Sequence, residues 1–301
     1  MGKIAFVFPG QGTQVVGMGR ALYEVYPAAT EIYDMCGETI KRLSFEGPQE
    51  SLNQTIHAQP CLFAASMAAA RVLAVQGIVP DGVAGFSLGE ISALAFAELL
   101  HTKDAFDFVS FRAIVMEACA KTHKGGMAAL LDMDAKAASA FCQSIEGTYL
   151  ANFNAPGQVT VAFRDEVKDT FLKYTKASNV KAVLLAVSGA FHSPLMNDAV
   201  ADINNYLKKI NFKGAKMPLY SNVTGQLYGN DPVPLLAQQI NHPVRWKTLV
   251  EQMIADGFDI FVETGPGKVL TGLIKRINKN VTVFNVSDVD SVKSTIDQIK
   301  F

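Results

Sequence analysis

Val83-Ala84-Gly85-Phe86-Ser87-Leu88-Gly89 is the stretch on which the reading of the fold turns. Val83–Phe86 shows no polar alternation, the pattern of a strand buried on both faces. Glu90–Leu100 follows with helical spacing. A serine between a buried strand and a helix, with a glycine two residues to either side, is the GxSxG of a nucleophile elbow. The chain must turn sharply there, the serine oxygen is left exposed, and the glycines remove side chains that would collide. The helix N-terminus beyond it offers unpaired N–H groups to developing negative charge. The five-residue pattern alone is weak, because serine is also a good helix N-cap. The strand before it and the helix after it favour a nucleophile.

Apolar, β-branched runs recur at Ile4–Phe8, Val159–Phe163, Val183–Val187, Ile260–Glu263 and Val281–Val286, with helical stretches such as Cys61–Val75 between them. This alternation predicts an α/β fold with a mainly parallel sheet between helical layers. One segment breaks the rhythm: strand Met127–Met133, helix Ala135–Glu146, strand Tyr149–Phe153, turn Asn154–Gly157, then strand, helix, strand. The order βαββαβ is the signature of a ferredoxin-like α+β module. Residues 124–189 are therefore expected to form a small subdomain inserted into a large one made of 1–123 and 190–301. Gly125-Gly126 and Ser188-Gly189 mark its hinges, since glycine relieves the backbone where chains cross.

A serine nucleophile needs a base, and the chain has five histidines. Most histidines are packing or surface residues. His192 stands out because Val187-Ser188-Gly189-Ala190-Phe191-His192-Ser193 follows a predicted strand end, where α/β sheets carry their sites. Pro9-Gly10-Gln11-Gly12 directly follows the first strand. Such a loop can bring the Gln11 N–H close to a reacting oxygen and, with the Leu88 N–H, complete an oxyanion hole. The plainer alternative is a strand-to-helix turn. No GK[ST] follows, so a phosphate-cradling P-loop is excluded.

Composition bounds the rest. The 301 residues carry 27 basic and 28 acidic side chains, a net charge of −1, and 49% of them are hydrophobic. That argues for a folded globular chain and against disorder. It also gives no global basic excess with which to bind nucleic acid. Cys36, Cys61, Cys119 and Cys142 form no CxxC pair and have no histidines at zinc-ligand spacing, so no metal is expected. Reduced thiols, a short apolar run after Met1, and the interruption of Cys61–Val75 by Arg71 predict a cytoplasmic protein with neither leader nor membrane span.

Taken together, PGQG at 9–12, GFSLGE at 85–90, Arg112, GAFHS at 189–193, PVRW at 243–246 and ETGPGKVLTGL at 263–273 resemble the malonyl-CoA:acyl-carrier-protein transacylases. This family includes the discrete bacterial enzyme and the acyltransferase domains of polyketide synthases. The resemblance covers Ile4 to about Ser287. It implies an α/β-hydrolase-like core with a ferredoxin-like insert, no cofactor, and two partners: malonyl-CoA and phosphopantetheinylated acyl carrier protein. By position it implies Ser87 as nucleophile, His192 as base, and Gln11 and Leu88 as oxyanion donors. Arg112 would hold the malonyl carboxylate, a task suited to a planar guanidinium that grips both oxygens. The histidine would be oriented by the main-chain carbonyl of Gln239, with Asn241 a weaker candidate. Phe86 departs from the family's usual histidine before the nucleophile, which alters the polarity of the pocket. Phe191 and Leu88 resemble malonyl-selective members. A trans-acting polyketide acyltransferase is the alternative within the family. Outside it stand a serine esterase, whose triad needs an acid between Ser87 and His192, a Ser–Asp hydrolase using Asp256, and a non-catalytic carrier-protein adaptor. Between Thr264 and Ser287, Lys268, Lys275, Arg276 and Lys279 are unopposed by any Asp or Glu, a patch suited to an acidic carrier protein.

Overall fold

The computed structural model describes residues 2–300. Its strands are β1 (Lys3–Phe8), β2 (Gly82–Gly85), β3 (Gly125–Leu131), β4 (Thr148–Ala155), β5 (Gln158–Arg164), β6 (Lys181–Leu184), β7 (Phe258–Thr264) and β8 (Thr282–Val286). The first sheet runs β2-β1-β7-β8, with every neighbouring pair parallel. Residues 4–8 of β1 are all buried, which explains the missing polar alternation. Ile4, Phe6 and Phe8 face one apolar core and Ala5 and Val7 the other, as the two-residue period of a strand requires. Helices Thr55–Val75 and Leu88–Phe96 contribute to the first core, Trp246–Ala255 and Val269–Ile277 to the second. All four parallel strands end on the same side, and the loops after β1, β2 and β7 carry three of the sequence motifs.

Helix Thr55–Val75 begins six residues before the Cys61–Val75 stretch read from sequence, because Pro60 sits inside it. Proline removes an intrahelical bond and normally marks a boundary, which hid the first turns. By length and composition the full 21-residue helix could cross a membrane despite Arg71. It is instead a core helix, with 83% of its most apolar window buried inside the protein.

The second sheet, β4-β5-β3-β6, is antiparallel throughout. Helices Ala135–Gln143 and Lys168–Ala177 pack on it through Phe141 and Phe171, which meet Leu130, Val161 and Phe163. The strand-helix-strand-strand-helix-strand order agrees with the sequence reading, although β3 and β6 each start two residues earlier. Its outer strand β4 is stitched to the large sheet's side of the molecule by Phe153 N–H to Val244 O (2.8 Å) and Val244 N–H to Ala151 O (2.9 Å).

Candidate active site

Ser87 sits directly between β2 and helix Leu88–Phe96, with φ 52° and ψ −107°. A non-glycine residue in that region is strained by about 1–3 kcal/mol and persists only where its surroundings enforce it. Asn222 does so with three bonds: its Oδ1 accepts from Ser87 N (2.6 Å), its Nδ2 donates to Gly85 O (2.6 Å), and its N–H donates to Glu90 (3.0 Å). The flanking glycines leave no space for a side chain. A Cβ on Gly85 would lie 1.9 Å from Gly89 C, and one on Gly89 would lie 2.0 Å from Phe8 O.

His192 is brought to the elbow from 105 residues away, and its Nε2 lies 2.7 Å from Ser87 Oγ. It too has a positive φ, 58°, held by its N–H bond to Ile240 O (2.9 Å). Its Nδ1 lies 2.8 Å from the main-chain oxygen of Gln239. A carbonyl can only accept, so Nδ1 carries the proton and Nε2 presents its lone pair to Ser87. Burial and the nearby Arg112 charge push His192 down to about 4, which keeps the imidazole neutral at physiological pH.

The Pro9–Gly12 loop lies against the elbow: Phe86 N–H donates to Phe8 O (2.9 Å), and a Cβ on Gly10 would meet Phe86 O at 2.7 Å. The Gln11 side chain is drawn aside to Thr55 Oγ1 (3.0 Å), which in turn meets Ser188 Oγ (2.8 Å). Among the described residues neither Gln11 N–H nor Leu88 N–H has an acceptor. Two unpaired donors thus lie beside Ser87 on the wall of one cavity.

Arg112, in helix Thr102–Thr122, is buried to 1% exposure, unlike an ordinary helical arginine. Its Nη1 donates to Gln59 Oε1 (2.6 Å), and its Nη2 donates to Gln239 Oε1 (2.8 Å) and Ser87 Oγ (3.2 Å). Buried Nε has no partner among the described residues. Burial lowers Arg112 to about 10, with Glu90 opposing the shift, so it stays cationic at neutral pH. A buried, still cationic guanidinium within hydrogen-bond reach of the Ser87 hydroxyl can attract an anionic group.

Residues 5–295 match the acyl transferase domain family. The chain belongs to the acyl transferase family. It is 39% identical to the malonyl CoA-acyl carrier protein transacylase of Bacillus subtilis, across 100% of this chain and 98% of that one. Among solved structures, the malonyl CoA-acyl carrier protein transacylase of Clostridium perfringens superposes with a TM-score of 0.94 at 31% identity, covering 99% of this chain and 97% of that one. A malonyl-transacylase in complex with its type II polyketide synthase acyl-carrier protein matches with a TM-score of 0.93 at 34% identity, covering 98% and 99%.

In this acyl transferase the space around Ser87 is a small cavity bounded by Gln59, Arg112, Asn152, Leu185, Phe191 and His192, with Phe86 and Leu88 on its wall. Phe86 packs edge-on against Trp246 (5.5 Å between centroids), so the departure before the nucleophile leaves an apolar wall. Of the two residues read as orienting the histidine, only Gln239 touches it. Asn241 donates instead to Asn197 Oδ1 (2.9 Å) at the surface, because it lies two residues past the carbonyl that faces the ring. Sequence reasoning missed Gln59, Glu90, Asn152 and Asn222. Glu90 stands inside GFSLGE and Asn222 outside the quoted motifs, and neither carries a local chemical signature. Gln59 lies in a largely apolar helix that also carries Thr55, His57, Ser66 and Arg71, and nothing in the sequence marks it out among them.

Proposed function

We propose that the protein moves the malonyl group from malonyl-CoA to the phosphopantetheine thiol of an acyl carrier protein, through a malonyl ester on Ser87. The observation that carries this reading is the joint placement of the Ser87–His192 pair and a buried, incompletely bonded Arg112. Ser87 Oγ attacks the thioester carbonyl as its proton passes to His192 Nε2, and the oxyanion is held by the Gln11 and Leu88 N–H groups. The CoA sulfur leaves with that proton. The carrier thiol then gives its proton to His192 and attacks the ester, and Ser87 recovers the proton as it departs. Arg112 holds the free carboxylate, fixing the acyl group so that its carbonyl stays in the hole.

The rival chemistries lack their parts. Among the described residues no carboxylate bonds His192, whose Nδ1 faces a carbonyl. Asp256 accepts from Tyr220 OH (2.6 Å) and Gln252 (2.9 Å) rather than from Ser87. The finer description of the fold belongs to the same proposal: an α/β-hydrolase-like large subdomain of residues 1–123 and 190–301, and a ferredoxin-like one of 124–189. The antiparallel order β4-β5-β3-β6 with both its helices packed on the sheet supports the latter. A cytoplasmic setting fits the four free cysteines. Intact-mass analysis after incubation with malonyl-CoA is expected to show one malonyl adduct, lost in Ser87→Ala. Absence of the adduct in the wild-type protein would overturn the reading.

A further inference from the structure

Glu90 lies three residues after the nucleophile and has no exposed surface. Among the described residues, every hydrogen-bond partner of its carboxylate is a donor. Oε1 accepts from Asn222 N–H (3.0 Å) and Tyr228 OH (2.5 Å), and Oε2 accepts from Gln239 Nε2. Gln239 Nε2 also donates to Ser87 O (2.9 Å), while its Oε1 receives Arg112 Nη2 (2.8 Å) and its main-chain oxygen faces His192 Nδ1 (2.8 Å). One glutamine therefore contacts the nucleophile's backbone, the base and the anion-binding arginine.

We infer that Glu90 is the positioning residue that fixes which way the Gln239 amide points, and thereby orients Arg112 for an acyl carboxylate. This rests on the Ser87–His192–Arg112 reading above and deepens it. An amide has two nearly isosteric ends, and only its hydrogen-bond partners decide between them. A carboxylate accepts and does not donate, so Glu90 compels Gln239 Nε2 toward itself and Oε1 toward the guanidinium. On the Oε1 side of Glu90 the Asn222 main-chain N–H cannot reverse its role. A neutral amide at position 90 must therefore keep its oxygen there and turn its NH2 toward Gln239. Gln239 would flip in response, losing its bond to Ser87 O and setting its own NH2 against Arg112 Nη2, donor against donor. Glu90 also supplies negative charge to the buried Arg112 at one amide's remove, which balances the cation without occupying the subsite as a direct ion pair would. Burial pushes Glu90 up to about 7, opposed by bonds from Tyr228, Gln239 and Asn222 and by the Arg112 charge. Tyr228 itself is held far above its ordinary value by burial and by Glu90 and so remains a donor. The titratable or charged groups bearing on Glu90 are thus Tyr228 and Arg112.

The test compares Glu90→Gln with wild type using malonyl-CoA and acetyl-CoA as donors, with acylation of Ser87 read by intact mass and transfer to holo-acyl carrier protein read by rate. Malonyl kcat/KM is expected to fall roughly 10- to 100-fold, the range for losing one hydrogen bond to a charged group. Acetyl transfer should fall much less, so that the malonyl-to-acetyl ratio drops about tenfold or more. A merely structural role would lower both together and leave the ratio unchanged, and that result would overturn the inference. Tyr228→Phe provides a second measurement should Glu90→Gln fail to fold. Removing one donor makes the ionised carboxylate harder to hold, so the acid-side loss of malonyl kcat/KM should move to higher pH by about half a unit or more. An unmoved profile overturns the inference equally. If wild type itself forms no malonyl adduct on Ser87, the failure lies in the proposed function instead.

Discussion

Arg112→Ala is the sharpest test of why this site would take a malonyl rather than a neutral acyl group. The guanidinium is buried, held by Gln59 Oε1 at 2.6 Å and Gln239 Oε1 at 2.8 Å, and its Nε lacks a partner among the described residues. A carboxylate gripped through two charge-assisted bonds at about 1.5–3 kcal/mol each draws about 3–6 kcal/mol from Arg112. At tenfold per 1.4 kcal/mol, malonyl kcat/KM should fall roughly 10²- to 10⁴-fold. Acetyl-CoA has no carboxylate to lose. It shares only the cost of leaving two glutamine oxygens unpaired and Gln239 less firmly held, about tenfold. Damage common to both donors cancels in the malonyl-to-acetyl ratio, which is expected to drop at least tenfold. The assay is transfer from each thioester to the same holo-carrier protein, with the folded fraction checked by circular dichroism. A ratio unchanged within about threefold would show that Arg112 does not read the carboxylate, whatever the loss in absolute rate.

His192 lies at about 4 in the folded protein against 6.5 for the free side chain, so the unfolded chain binds the extra proton between those values. The stability this group contributes is complete above about 6.5 and is lost as pH falls toward 4, up to about 3 kcal/mol at 1.36 kcal/mol per unit. Urea titrations of wild type and His192→Asn across that window should show the two converging at low pH; parallel curves would contradict the buried, neutral imidazole. Gly89→Ala places a Cβ 2.0 Å from a main-chain oxygen and is expected to cost more than about 3 kcal/mol in chemical denaturation. A loss under about 1 kcal/mol would mean that the elbow yields easily. Reversing Lys275 and Arg276, exposed in the last turn of helix Val269–Ile277, should raise the carrier-protein KM while malonyl-Ser87 formation is unchanged. An unchanged KM at low salt would remove this patch from carrier recognition.

What could be read from the sequence follows from how local each device is. The elbow was legible because its requirements are contiguous: a buried strand, a glycine where any Cβ would strike the backbone, a serine, another such glycine, and a helix start. The small antiparallel sheet was legible for a similar reason, since alternating strands and helices within sixty residues have few ways to pair. Gln239 was reached only through a resemblance, counted back from Pro243, because nothing local distinguishes a carbonyl that will face an imidazole. Glu90 and Gln59 were not reached at all. Their roles exist only after residues 59, 90, 112, 222 and 239 have been drawn from five separate segments into one buried network, and a glutamine or glutamate acquires its meaning from which ends of its neighbours are donors. That also explains why Asn241 was misread. Proximity in sequence to the orienting carbonyl suggested a shared task, but the backbone turns between Gln239 and Asn241, and one faces the imidazole while the other faces Asn197 at the surface. The strained turn at Ser87 is betrayed by Gly85 and Gly89, where a Cβ would strike the backbone, whereas the direction in which an amide such as that of Gln239 points leaves no mark in the sequence. Substitutions at Glu90 and Gln239, like Arg112→Ala, should therefore shift acyl preference more readily than substitutions at the glycines that flank Ser87.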